Sequence, residues 1–161
     1  MTTTGKLVAA TQGAFASLMT TELNALANGS AVRGPTVDNG TNLDLFAEFS
    51  FVGGASTTQA GTPFLSLYLY PINGDGTTYG DGRFSASVGG PPTASYFAGY
   101  MGTLATGAAN VTGTFYRPDG QGTLIQLPRK LWRPVLHNGL GVAMAGTGNI
   151  LSYSTTNYQF V

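Results

Sequence analysis

Apolar and polar side chains alternate along residues 42–52, NLDLFAEFSFV. Leu43, Leu45, Ala47, Phe49 and Phe51 fall on one side, and Asn42, Asp44, Glu48 and Ser50 on the other, with Phe46 breaking the pattern. A period of two marks a strand with one buried and one wet face. Residues 64–72, FLSLYLYPI, are apolar on both sides. That strand is expected either to lie between two layers or to offer Tyr68 and Tyr70 to another chain. Further strands are expected at 94–104, 110–116, 122–127, 131–137, 140–145 and 150–160. Pro134 has no N–H for a ladder, which predicts an edge or bulged position for its strand.

Asn-Gly or Asp-Gly dipeptides begin at positions 28, 39, 73, 75, 81, 119 and 138 and separate the apolar runs. These residues tolerate the positive φ of tight hairpins, so a turn is expected at Asn138-Gly139, with His137 at the strand end. One short helix is expected near 21–28. Thr20 or Thr21 can cap it, Glu22 suits its positive end, and Gly29 stands where a left-handed residue closes a helix. Residues 7–19 stay open between strand and helix. Phe15, Leu18, Met19, Leu23 and Leu26 keep helical spacing, but Gly13 weakens it.

Eight or nine strands in 161 residues predict an all-β fold, a two-sheet antiparallel sandwich of the jelly-roll kind. The expected organisation is an N-terminal arm over 1–19, either disordered or ordered on a neighbouring subunit, and a single sandwich domain over 20–161. Residues 123–161 read as a β-meander closing the sandwich.

Composition sharpens this picture. Hydrophobic residues make up 42%, enough for a core, but only 9% are charged, and the net charge is zero. A neutral chain lacks the basic face that nucleic acid or an anionic membrane demands. It also does little to oppose self-association. No cysteine is present, which excludes disulfides and thiolate metal sites. The opening MTTTGKLVAATQGAF makes a poor secretion signal, so synthesis in a cytoplasm is expected.

Candidate chemistry is sparse. His137 is the sole histidine, and no G-x-S-x-G accompanies it. Asp38, Asp44 and Glu48 are the nearest approach to an acidic pair. Asp44 and Glu48 lie ~13 Å apart along a strand, beyond the ~5–9.5 Å of glycosidase carboxylates. Asn73, Asp75 and Asp81 sit in a Gly-rich loop, 73–93, without the spacing of a calcium loop; turn chemistry accounts for them. Asn28, Asn39 and Asn110 match N-x-S/T, a chance match in the absence of a secretion signal. Arg129, Lys130 and Arg133 surround Trp132, too few for nucleic acid. Trp132 reads first as a core residue; exposed, it would anchor a protein interface. No catalytic, cofactor-binding or metal-ligating residue is expected, so the chain does not read as an enzyme.

The order of four phrases carries a resemblance. ELNALANGSAV at 22–32, DNGTNLDLFAEFSF at 38–51, FLSLYLYPINGDGTTYGDG at 64–82 and WRPVLHNGLGVAMAGTGNILSYSTTNYQ at 132–159 together resemble small structural proteins of tailed bacteriophages. The resemblance implies a capsid decoration, or cement, protein on the virion surface. It would bind the major capsid protein of the same particle and form a homo-oligomer, by preference a trimer. Arm contacts are expected within 1–12, from Thr2, Thr3, Thr4, Lys6 and Leu7. Tyr68, Tyr70, Tyr79, Arg129, Lys130, Trp132 and Arg133 form a second set of interface candidates. The alternative is a tail or fibre component that binds host-surface carbohydrate. A third reading, a glycan-cleaving depolymerase, needs an acidic pair that the sequence does not display.

Overall fold

The computed structural model describes residues 7–9, 12–41, 43–59, 62–79, 96–101, 111–156 and 158–160. Its strands are β1 (Leu7–Ala9), β2 (Ala16–Met19), β3 (Ala31–Arg33), β4 (Val37–Asp38), β5 (Phe46–Gly53), β6 (Phe64–Pro71), β7 (Phe97–Met101), β8 (Val111–Thr114), β9 (Ile125–Gln126), β10 (Leu131–Gly139), β11 (Ile150–Thr156) and β12 (Tyr158–Phe160). Two antiparallel sheets pack against each other. The first runs β2-β11-β5-β8, with β9 also on β5; the second runs β3-β10-β6-β7, with β4 also on β10. A two-stranded ribbon, β1 with β12, stands apart from both. The strands pair in a nested way: β6 with β7, β5 with β8, β3 with β10, and β2 with β11. The expected all-β sandwich is therefore present.

The alternation in β5 works as a strand pattern should. Ala47, Phe49 and Phe51 are fully buried, and the residues between them are half-buried. From the second sheet, Leu65, Leu67, Leu69, Trp132 and Leu136 meet them in one core. The Trp132 ring stands edge-on to Phe49 at 6.3 Å and to Tyr153 at 6.1 Å. Its Nε1 is buried without a hydrogen-bond partner, so Trp132 stabilises through packing.

Several local expectations change. Leu43 and Leu45 are exposed, because the strand starts only at Phe46. Asn39 holds the preceding residues in a turn. Its Oδ1 accepts the Asp44 N–H at 2.8 Å, and its Nδ2 donates to the carbonyls of Asp44 at 2.8 Å and Pro128 at 3.0 Å. Such side-chain bonds compete with the ladder. The helix expected near 21–28 is a single 3₁₀ turn, Thr21–Leu23. Ala25 at φ 56° ends it, and the Ala25 N–H bonds to Ala145 O at 2.9 Å.

Residues 7–9 and 16–19 are strand, which settles the open region for those positions. Residues 16–19, at the C-terminal end of the arm expected over 1–19, belong to the sandwich: Met19 and Leu18 are buried in the core. The segment expected as a meander over 123–161 instead contributes β9 and β11 to the first sheet and β10 to the second.

Pro134 lies in a central strand, not at an edge or a bulge. β10 pairs with β6 on one side and with β3 and β4 on the other. Gly34 N donates to Pro134 O at 2.8 Å, so the missing N–H of Pro134 also faces that side, where the neighbouring strand is broken between Arg33 and Val37. The break absorbs the lost donor. Gly34 is needed there: a Cβ would lie 2.6 Å from Met19 Cγ and 2.7 Å from Pro134 Cγ.

Asn138-Gly139 is likewise no hairpin turn. Both residues belong to β10 and pair with Leu65 and Phe64. Among the described residues, no helix is long and apolar enough to cross a membrane.

Candidate functional site

The two sheets differ in the faces they turn away from the core. On the first sheet that face carries Glu48, Ser50, Thr112, Thr114 and Ser152, with Phe46, Val52 and Ile150 half-buried among them, a mixed surface without exposed aromatic rings. Glu48 is engaged there, accepting from Gln12 Nε2 at 2.5 Å and from Thr123 Oγ1. Asp38 Oδ1 accepts the Gly40 N–H at 2.8 Å. Among the described residues no group of three His, Cys, Asp or Glu is placed to hold a metal ion.

The second sheet is different. In β6 the odd-numbered residues enter the core, so Phe64, Ser66, Tyr68 and Tyr70 face outward. Register places Arg133 beside Tyr70, Val135 beside Tyr68 and His137 beside Ser66 on β10, and Phe97 and Tyr100 beside Tyr68 and Ser66 on β7. A second apolar cluster forms outside the main core, from Tyr70, Ile72, Tyr79 and Val135, with Ala31, Tyr68, Tyr96 and Leu131 against it. Ring centroids lie 5.0 Å apart for Tyr70–Tyr79, 4.7 Å for Tyr70–Tyr96 and 5.4 Å for Tyr68–Phe97.

The turn after β6 builds part of this cluster. Asn73 N donates to Thr78 O at 2.7 Å, and Ile72 bridges Tyr79. The Asp75 carboxylate accepts the N–H groups of Thr77 at 2.8 Å and Thr78 at 2.9 Å. These bonds pull its pKa down to about 2. A depressed folded-state pKa means that the contribution of the turn is present above the ordinary range of ~3.9 and is lost as pH falls through the folded value. An NMR titration of the Asp75 carboxyl is expected to show a midpoint of about 2; a midpoint at the free-aspartate value would mean that this turn is not held. Burial pushes the Tyr79 hydroxyl upward, opposed by the positive charges of Arg133 and Arg33 and by a hydrogen bond from Arg133. Burial also raises the Tyr68 pKa.

Of the residues singled out from sequence, Tyr68, Tyr70, Tyr79 and Arg133 converge on this face. Tyr70 and Tyr79 are only 4% exposed; they shape the face from beneath and cannot themselves anchor a neighbour. Trp132 is the core residue of its first reading and drops out of the interface candidates: even-numbered residues of β10 face the core, and its ring is buried there. Arg129 and Lys130 are exposed just before β10. His137 lies within the strand, between Ala31 and Ser66, with Phe64 at 6.2 Å; the strand-end reading is corrected. Leu7 pairs with Phe160 in the ribbon. Thr2, Thr3, Thr4, Lys6, Asp81 and Asn110 lie outside the described residues, as does most of the 73–93 loop.

Sequence reasoning missed Phe64, Arg33, Tyr100 and Tyr116. Phe64 shares the parity of Tyr68 and Tyr70, a signal that was available. Tyr100 and Tyr116 exchange both main-chain hydrogen bonds, at 3.0 and 2.8 Å, and so stand side by side where the sheets meet. Phe64, Tyr100 and Tyr116 are 41%, 39% and 48% exposed. A cleft of about 400 Å³ opens between β7 and β9, lined by Leu69, Phe97, Ile125, Leu127 and Arg117 among others. Comparison of the chain with protein-family models, curated proteins and solved structures finds no match in any of the three.

Proposed function

We propose that this protein is a virion structural component, a capsid decoration protein that binds the assembled major-capsid lattice and stabilises it. The observation that carries the reading is the outward face of the second sheet. Aromatic rings and arginines are prominent on it; among the residues that the register places there the acidic one is Asp38, with neither lysine nor glutamate. That is the composition of a protein-interface core. In this reading the nested strand pairing is a jelly roll, an architecture that recurs in capsid proteins and lectins. The ribbon of β1 and β12 supports an assembly role, since two short strands alone are marginal in water and leave open edges for a neighbour. A protein that binds one state of the shell shifts the balance toward that state.

Cosedimentation with expanded shells tests this. Tyr100→Glu is expected to weaken binding by about ten-fold or more, whereas Thr112→Glu, on the outward face of the first sheet, leaves it unchanged. Equal binding by both variants would remove this face from the interface. The exposed rings of Phe64, Tyr100 and Tyr116 favour a second reading, stacking on host-surface carbohydrate by a tail component. Immunogold label confined to the tail tip would establish that reading in place of the first.

A further inference from the structure

We propose that Arg33 and Arg133 form a receptor for a carboxylate carried by an acidic side chain of the partner protein. The inference rests on reading this face as partner-facing, and it names the chemistry of what docks there.

Arg33 lies directly opposite Val135, and Arg133 is two positions further along the same face of β10. Such diagonal neighbours have Cα atoms ~7–8 Å apart, so one small anion can meet both guanidinium groups. Arg133 is held in place by Nε, which donates to Thr36 Oγ1 at 2.7 Å, and by its bond to Tyr79. Arg33 Nη1 is buried and has no hydrogen-bond partner. A buried, unpaired charged donor is costly, and two like charges on one face repel. Asp38, opposite Leu131, is the diagonal neighbour of Arg133 on its other side, but among the described residues no carboxylate forms an ion pair with either guanidinium. The ion pair found there joins Arg117 to Asp119, and Asp38, on the neighbouring β4, directs Oδ1 to Gly40 N.

Guanidinium forks match a carboxylate in a bidentate way, and a shared carboxylate would satisfy the idle Arg33 donor and screen the repulsion. The surroundings indicate an anion borne by a protein. Val135 and Tyr68 adjoin the cations along the same face, with Phe97 beyond Tyr68, so the complementary segment presents a carboxylate flanked by apolar side chains.

The test follows the Nε–Hε signals of Arg33 and Arg133 by NMR in the full chain. Sodium acetate is expected to shift both along one saturable curve, while sodium chloride at equal ionic strength does not. In Arg33→Gln the Arg133 response should flatten. Arg133→Lys keeps the charge but loses the fork, and serves if the glutamine variant does not fold. Identical responses to acetate and chloride would overturn the proposal. Saturation by inorganic phosphate at far lower concentration than acetate would overturn the carboxylate assignment. On expanded shells, the Arg33→Gln, Arg133→Gln double variant is expected to bind about thirty-fold more weakly or worse. If the wild type binds shells and the double variant binds equally well, the receptor is wrong. If the wild type ignores shells while acetate saturates the site, the receptor stands and the capsid reading falls.

Discussion

A Phe49→Asp variant is expected to lose cooperative unfolding altogether. Phe49 is fully buried at the centre of β5, stacked on Tyr153 at 6.1 Å and edge-on to Trp132 at 6.3 Å. Removing a buried phenyl ring costs about 3–5 kcal/mol. Burying a carboxylate in its place costs several kcal/mol more unless the group takes up a proton. Together these approach or exceed the whole stability of a typical domain, ~5–15 kcal/mol. Trp132 is the sole tryptophan, so its fluorescence reports the core directly. The variant should show the emission of a solvated indole at all temperatures, whereas Phe49→Leu should retain a sharp transition at lower temperature. A folded Phe49→Asp protein with native emission would mean that the faces of β5 are reversed.

The second large effect is expected at Asn138. Its fully buried side chain ties three segments together. Nδ2 donates to Leu26 O at 2.8 Å and Val142 O at 3.0 Å, and Oδ1 accepts the Leu140 N–H at 2.9 Å. Asn138→Ala would strand all three main-chain groups, and each buried group left without a partner costs about 1–3 kcal/mol. A loss of about 4 kcal/mol in urea unfolding is expected, with Tm lower by about 10 °C. A loss below about 1 kcal/mol would mean that water replaces the side chain, since bridging water can satisfy such groups.

These two residues also mark how far the sequence can be read. The faces of β5 are legible because an apolar residue recurs at Ala47, Phe49 and Phe51 while Glu48 and Ser50 break the other side. β10 is not legible in the same way. Leu131 and Val135 occupy one parity, and Trp132, Pro134 and Leu136 the other, so no period identifies the buried side, and Trp132 passed as an interface candidate. Asn138-Gly139 carries the local preference of a turn, but the three bonds of the Asn side chain hold it in a strand. Pro134 is tolerated because of a break in a different segment, which no inspection of its own strand reveals. The candidate site was half visible. Tyr68, Tyr70 and Arg133 lie in strands that pair, whereas Arg33 joins them only because β3 lands beside β10.

The nested pairing has a consequence for the order in which this fold can form. β10 lies between β3 and β6, and β11 lies between β2 and β5. Each of the two sheets thus receives an inner strand from a late part of the chain. A nascent chain that has emerged only as far as β9 holds β2, β3, β5 and β6 with their inner partners still missing. Phe49, Phe51, Leu65 and Leu67 then have no Trp132 or Leu136 to close over them. β6 and β7 can pair early, but β2 must await β11 from the far end of the fold, the kind of distant closure that slows β-proteins to milliseconds or seconds. Until then the half-made sheets offer bare strand edges to any neighbour. On the ribosome this protein is therefore a late folder, exposed to aggregation until its final strands arrive.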